Sequence, residues 1–147
     1  MKKLLVVAGP NLNLLGSREP DIYGRTTLAE IEAMVKERVS AAGHAALCFQ
    51  SNSEGAILDF LQQEAPTASG IVLNPGALTH YSYALYDCLR ALQTPVVEVH
   101  LSNLYARGET EHFRSRNVTA PAAVGVITGL GPKGYLLAVD YLLDRDG

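Results

Sequence analysis

The sequence predicts an α/β fold in which helices cover both faces of a five-stranded parallel sheet. Short runs rich in Val, Ile and Leu recur along the 147 residues, and such near-continuous apolar runs are typical of strands buried on both sides. Four segments with helical spacing alternate with these runs, and that alternation favours parallel strands. We therefore expect a flavodoxin-like three-layer sandwich, in a single domain over residues 1–147.

The predicted strands are short apolar runs bounded by turn residues. They span residues 4–8, 45–50, 71–73, 96–99 and 124–128.

Capping-box spacings mark the starts of the first two helices. Thr27 and Glu30 open the first, which Gly43 ends, because glycine readily adopts the left-handed conformation that terminates helices. Ser51 and Glu54 show the same spacing and predict the start of the second helix.

The third and fourth helices are predicted from apolar stripes. The third spans residues 81–92. The fourth has Pro132 near its first turn, where proline is tolerated, and we expect it to bury Leu136, Val139 and Leu143.

Composition excludes several classes of protein. The formal charge of −3 and the lack of a basic stripe argue against nucleic acid as a partner. Cys48 and Cys88 are far apart in the sequence and are expected to be reduced packing residues, and no metal-binding spacing occurs. The N-terminal apolar run stops at Gly9, too short for a signal peptide or a membrane span, so we expect a cytoplasmic protein.

The segment 9–24 is the strongest functional candidate. It contains two prolines and three glycines, more than a simple strand-to-helix connection needs, and such loops often carry chemistry. Arg18 lies five residues before Tyr23 within it. An arginine about 4 Å from a phenolate contributes about 4 kcal/mol at an effective dielectric of about 20, before desolvation is subtracted. With a second arginine such as Arg107, Tyr23 is a reasonable base, whereas an isolated tyrosine would more often cap a loop.

The predicted topology places a ligand beyond the carboxyl ends of the strands, where the winding reverses between strands one and three. That edge also receives the segments 74–80 and 98–103. His80 and His100 lie there, where a histidine suits acid–base chemistry, although each could equally be structural. Asn74 could orient a hydroxyl or a carboxylate, and its alternative role is in a turn.

The charged residues narrow the chemistry. Arg18 and Arg25 lie in or next to the segment 9–24, and a second irregular stretch, the second arginine loop, contains Arg107, Arg114 and Arg116. This distribution favours a small anionic ligand. None of the four lysines is well placed for a Schiff base. Any carbon-acid chemistry would therefore proceed through an enol or enolate, with a tyrosine or histidine as the base.

The segment 129–134 matches the pattern GxGxxG between a strand and a helix. A dinucleotide site also needs a following strand with an acidic residue about 20 positions on, and the sequence supplies none. We expect these glycines to form a tight turn and to allow close helix packing. The alternative function is a flavodoxin-like nucleotide- or flavin-binding module without catalysis.

Five segments in this order together resemble type II 3-dehydroquinate dehydratase. They are residues 9–24, 50–55, 74–80, 98–103 and 129–135. The resemblance covers nearly the whole chain, and it implies a cofactor-free hydro-lyase of the shikimate pathway that converts 3-dehydroquinate into 3-dehydroshikimate.

The resemblance also implies catalytic roles. Tyr23 would take the proton α to the ketone, Arg18 would stabilise its phenolate, and His100 would protonate the departing hydroxyl. Asn11 would order a water beside the enolate, and Glu98 would orient His100.

The same resemblance implies substrate-binding roles for Asn74, His80 and the main chain of Leu101 and Ser102. Asp87 corresponds to a residue that the family contributes from a neighbouring subunit. Because family members assemble as trimers that associate into dodecamers, a homo-oligomer is expected here too.

The second arginine loop departs from the family pattern. The family usually places a substrate-contacting arginine, preceded by phenylalanine, four positions after a first one. Here Phe113 and Arg114 follow Arg107 by six and seven positions, so three residues are inserted. The resemblance gives Arg107 a catalytic role and Arg114 a substrate-binding role, with Arg116 as the alternative to Arg114.

Overall fold

The computed structural model describes residues 1–107 and 111–145, without the side chain of Arg107. A five-stranded parallel sheet lies at its centre, with strand order β2-β1-β3-β4-β5. The strands are β1 (Lys3–Ala8), β2 (Ala45–Gln50), β3 (Gly70–Asn74), β4 (Val96–His100) and β5 (Gly125–Thr128). This order is that of flavodoxin-like folds, and the predicted fold class is confirmed.

The described residues include five α-helices and several short 3-10 turns; four of the helices connect strands and the fifth follows the last strand. The helices are α1 (Pro20–Tyr23), α2 (Leu28–Ala41), α3 (Glu54–Glu64), α4 (Tyr83–Ala91) and α5 (Lys133–Asp144). One hydrophobic cluster lies between the sheet and α2 and α5. A second lies between the opposite face and α3 and α4. The molecule therefore has three layers, because both faces of the sheet are apolar. No helix within the described ranges is long and apolar enough to cross a membrane.

The starts of two helices test the capping predictions. The Thr27–Glu30 capping box is confirmed, since each residue's side chain binds the other's main-chain N–H. The prediction for the second helix is wrong by two residues: Ser53 caps α3, and its Oγ accepts from Ala56 N at 3.2 Å. Ser51 instead accepts from Ser53 N at 2.9 Å, so it shapes the turn that precedes the helix.

The other two helices differ slightly from the prediction. Helix α4 begins at Tyr83 with Ser82 as its cap, because the preceding residues form the 3-10 turn Gly76–His80. On α5, Val139 is fully buried as predicted, but Leu136 and Leu143 are only partly buried. The fully buried face is centred on Tyr135, Ala138 and Leu142.

Close approach of two loops shapes the carboxyl edge of the sheet. Gly9 N donates to Asn74 O at 2.8 Å, and a Cβ on Gly9 would lie 2.4 Å from Pro75 O. Gly76 has a φ of 60° and faces Pro10 O. The loops after β1 and β3 therefore touch through their main chains, and they form one wall at the point where the strand order reverses.

Candidate active site

A cleft at the carboxyl ends of β1, β3 and β4 has a cavity volume of about 50 Å³. Nine of the twelve site residues predicted from the sequence line it: Asn11, Arg18, Tyr23, Asn74, His80, His100, Leu101, Ser102 and Arg114. The remaining three lie elsewhere. Glu98 is buried behind His100, and Asp87 is on the exposed face of α4. Arg107 ends a short 3-10 turn, and its side chain lies outside the described part of the structure.

The first loop brings Arg18 onto Tyr23. The guanidinium carbon of Arg18 lies 4.8 Å from the centre of the Tyr23 ring, so the positive charge lies over the face of the ring. Glu19 between them has a φ of 40°, a left-handed conformation that costs a residue other than glycine about 1–3 kcal/mol. Helix α1 begins at the next residue and carries Tyr23 back toward Arg18.

The segment 50–55 supports the same loop from the side. Asn52 Oδ1 accepts hydrogen bonds from Asn11 N at 2.9 Å and from Gln50 Nε2 at 3.2 Å. Gln50 Nε2 also lies 3.2 Å from Gly9 O. Asn11 has a φ of 70°, a conformation that asparagine adopts more readily than most residues. These bonds hold Asn11 at the mouth of the cleft.

Asn74 reaches the cleft from the end of β3. Its side chain is buried, with Oδ1 accepting from Gly76 N at 3.1 Å and Nδ2 donating to the Tyr135 hydroxyl oxygen at 3.1 Å. Burial raises the pKa of Tyr135 to about 12, so this hydroxyl is neutral. The bond to Gly76 is the turn role that the sequence suggested, and it fixes the amide at the cleft wall.

His100 forms a buried pair with Glu98. His100 Nε2 lies 2.6 Å from Glu98 Oε2, and the two side chains are 6% and 0% exposed. Burial by itself raises the pKa of Glu98. The hydrogen bond and charge of His100, together with threonine hydroxyls, lower it by more than burial raises it, so the pKa is below its ordinary value. Glu98 is therefore a carboxylate that fixes the Nε2 side of the ring.

Residues of the second arginine loop hold His80 in place. Its Nδ1 lies 2.7 Å from Arg116 O, and its ring meets Phe113 edge to face with centroids 5.4 Å apart. Arg114 lines the cleft, and its Nε donates to Glu111 Oε2 at 2.8 Å. Arg116, the alternative to Arg114, contributes its carbonyl to this arrangement and is not among the residues lining the cleft.

Comparison of the whole chain with known proteins shows the family to which it belongs. The sequence model of the family Dehydroquinase class II matches residues 2–143. The chain belongs to the class II dehydroquinase family. It is 56% identical over 145 residues to a 3-dehydroquinate dehydratase of Roseiflexus castenholzii, covering 99% of this chain and 90% of the relative. It is 52% identical over 147 residues to that of Bacillus subtilis, covering 100% of this chain and 97% of the relative.

Solved structures of the family agree with the fold. The type II dehydroquinase of Propionibacterium acnes has a TM-score of 0.91 at 39% identity, covering 99% of this chain and 98% of that one. That of Butyrivibrio crossotus has a TM-score of 0.91 at 44% identity, covering 97% and 98%. The predicted family is confirmed, and so is the prediction of an enzyme of the hydro-lyase class.

The GxGxxG segment has a packing role in this family member. Gly129 and Gly131 have φ values of 92° and 61°, as a tight turn requires. A Cβ on Gly134 would lie 3.2 Å from Ile127 and 3.3 Å from Val99, so the missing side chain lets α5 approach the sheet. The predicted turn and close packing are both present.

Sequence reasoning missed three polar residues that contact Glu98: Thr79, Asn117 and Thr119. Thr79 lies inside the segment 74–80, whose predicted place at the carboxyl edge of the sheet could have indicated its role. Asn117 and Thr119 follow the second arginine loop, and no sequence pattern there predicts a contact with Glu98 on β4.

Proposed function

We propose that this protein dehydrates 3-dehydroquinate to 3-dehydroshikimate, with Tyr23 as proton acceptor and His100 as proton donor, in a single catalytic domain. One observation carries the proposal. The same cleft contains a tyrosine beneath an arginine and a histidine paired with a buried carboxylate. Side chains alone can therefore supply a base and an acid, which is what elimination of water from a β-hydroxyketone requires.

Tyr23 begins the reaction as a phenolate. It removes the proton α to the ketone, and the electron pair of that C–H bond moves into an enolate. A positive charge about 5 Å from the ring, as Arg18 provides, contributes about 3 kcal/mol at an effective dielectric of about 20. Solvent screening reduces this value, because the Arg18 side chain is 30% exposed. We also assign Arg107 to this stabilisation, as a second positive charge.

His100 completes the elimination. Because its Nε2 faces Glu98, the Nδ1 side of the ring is the one left to donate a proton to the leaving hydroxyl. As the C–O bond breaks, the enolate electrons form the new carbon–carbon double bond and water departs. Tyr23 then holds the proton and His100 is neutral, and transfer of one proton through solvent restores the starting state.

The other lining residues suit the substrate's carboxylate and hydroxyls. We assign the carboxylate to the main chain of Leu101 and Ser102, where β4 ends, and to Asn74. Thr128 Oγ1 donates to Ser102 O at 2.9 Å and accepts from Leu104 N at 3.2 Å, and these bonds shape that turn. Arg114 and His80 are assigned to the remaining anionic and hydroxyl groups, because a guanidinium binds planar anions well.

We also propose that the active assembly is a homo-oligomer, a dodecamer built from trimers. Asp87 is exposed on α4 and does not line the cleft of its own chain, so it is available to a neighbouring subunit. Tyr81 and Tyr83 near the start of α4 are 60% and 67% exposed, and an interface would cover them. Light scattering after gel filtration measures the mass, and a monomer that is fully active would refute this part.

The test of the dehydration is direct. Adding 3-dehydroquinate to the purified protein should produce the ultraviolet absorbance of a conjugated enone. Tyr23→Phe should reduce kcat at least a thousandfold while circular dichroism and assembly mass stay unchanged. Absence of the absorbance with wild type would refute the activity, and a near-normal rate with Tyr23→Phe would refute the assigned base.

A further inference from the structure

Glu98 is held by three side chains besides His100. Its Oε2 atom accepts from Thr79 Oγ1 at 2.8 Å and from Asn117 Nδ2 at 3.0 Å, and its Oε1 atom accepts from Thr119 Oγ1 at 2.5 Å. We call Thr79, Asn117 and Thr119 the carboxylate clamp. Thr79, Thr119 and Glu98 are all 0% exposed, so the clamp takes the place of solvent around the carboxylate.

The charge on Glu98 depends on such bonds. An isolated buried carboxylate takes up a proton rather than remain charged in an apolar interior. Burial alone raises the pKa of Glu98, whereas His100 and the hydroxyls of Thr119 and Thr79 lower it. His100 is the titratable group that the described residues place against Glu98. The clamp and His100 together therefore keep Glu98 ionised.

The hydroxyl of Thr79 contacts Glu98 and both other members of the clamp. Asn117 Oδ1 accepts from Ala120 N at 3.0 Å, which turns its Nδ2 toward Glu98. Thr79 has one hydroxyl proton and three oxygens in reach: Glu98 Oε2 at 2.8 Å, Asn117 Oδ1 at 2.5 Å and Thr119 Oγ1 at 2.9 Å. A charged acceptor binds a donor more strongly, so we assign this proton to Glu98 Oε2.

The clamp also joins two separate segments of the chain. Thr79 lies in the turn after β3, whereas the other two members follow Arg114. Val118 N donates to Thr79 O at 2.6 Å, and Arg116 O lies 2.7 Å from His80 Nδ1. The segment that follows Arg114 is thereby fixed against the turn after β3 and against the Glu98 carboxylate.

We propose that the carboxylate clamp is a set of positioning residues for His100. It holds Glu98 as a carboxylate with Oε2 on Nε2 of the ring, so that Nδ1 is presented to the substrate. This inference rests on the proposed dehydration, because it assigns the clamp to the proton donor of that reaction.

Thr79→Val tests the clamp, with Thr79→Ser as the matched control that keeps the hydroxyl. The valine variant should lose at least tenfold in kcat with KM within threefold of wild type. The serine variant should restore kcat to within threefold of wild type. A folded valine variant with wild-type kcat would overturn the proposal.

A second measurement is independent of turnover. Glutamate labelled with ¹³C at its side-chain carboxyl, with the signal assigned by Glu98→Gln, reports the ionisation of Glu98 directly. The signal should keep its carboxylate position below pH 4.5 in wild type and should titrate at higher pH in Thr79→Val. Identical titrations in both proteins would refute the clamp.

The two proposals fail in different ways. If wild type does not convert 3-dehydroquinate, the dehydration is refuted, while the carboxyl titration still decides whether the clamp keeps Glu98 ionised. Should Thr79→Val not fold, Thr119→Val removes the bond to Oε1, and Thr119→Ser is its control. The same shifts are expected in kcat and in the titration, and their absence in a folded Thr119→Val would count against the proposal.

Discussion

Asn74 Nδ2 donates a hydrogen bond of 3.1 Å to the hydroxyl oxygen of Tyr135, and the two side chains are 3% and 0% exposed. This bond joins the end of β3 to the first turn of α5. Asn74 Oδ1 is held at the same time by Gly76 N. The orientation of the amide at the cleft wall is therefore set by the core and by the turn together.

Tyr135→Phe removes one partner of this amide and leaves the ring in the core. We expect a loss of about 1 kcal/mol in the free energy of unfolding, typical of one buried hydrogen bond. KM should rise severalfold with a smaller change in kcat, because Asn74 is assigned to ground-state binding. Urea denaturation and steady-state kinetics measure the two effects. An unchanged KM would show that Asn74 needs no such support.

Arg18→Ala removes the charge over the Tyr23 ring. We expect kcat to fall at least a hundredfold, which corresponds to about 2.7 kcal/mol of the activation barrier. Arg25→Ala is the matched control, since Arg25 is an exposed arginine just beyond the same loop. Steady-state kinetics should show near-wild-type kcat for the control. Equal rates for both variants would remove Arg18 from the base mechanism.

The lowered pKa of Glu98 predicts a pH dependence of stability. A carboxyl group whose pKa is lower in the folded than in the unfolded state stabilises the fold at pH values above its unfolded-state pKa, which is about 4.5. That stability is lost as the pH falls below 4.5 through the folded pKa. Urea midpoints measured from pH 6 down to pH 3 should show the decline, with a smaller slope in Glu98→Gln. Equal slopes would contradict it.

Gly9→Ala tests the contact between the loops after β1 and β3. Its Cβ would lie 2.4 Å from Pro75 O, and because main chain cannot move aside cheaply we expect a loss of more than about 2 kcal/mol in stability. Gly55→Ala is the control: the nearest atom is 3.9 Å away, and alanine in a helix gains about 0.5–1 kcal/mol. Thermal melts should show opposite shifts, and a neutral Gly9→Ala would argue that the loops separate.

Local patterns predicted much of this protein. The apolar runs indicated all five strands to within a residue or two, since a strand buried on both faces must be apolar along its length. Thr27 and Glu30 gave the start of α2, because a capping box needs only neighbouring residues. The capping prediction at Ser51 failed for the same reason: Ser51 and Ser53 both offered a hydroxyl, and the approach of the chain to α3 selected Ser53.

The candidate site likewise has features that the sequence predicts and others that only the structure shows. The sequence by itself determined the family, the sheet and nine of the residues that line the cleft, because a parallel sheet brings the carboxyl ends of its strands to one edge. Only the tertiary structure decided that Tyr135 holds Asn74 and that Asn117 and Thr119 hold Glu98. Those partners are 61, 19 and 21 positions apart in the chain, and no local propensity encodes contacts that arise only when distant segments pack together.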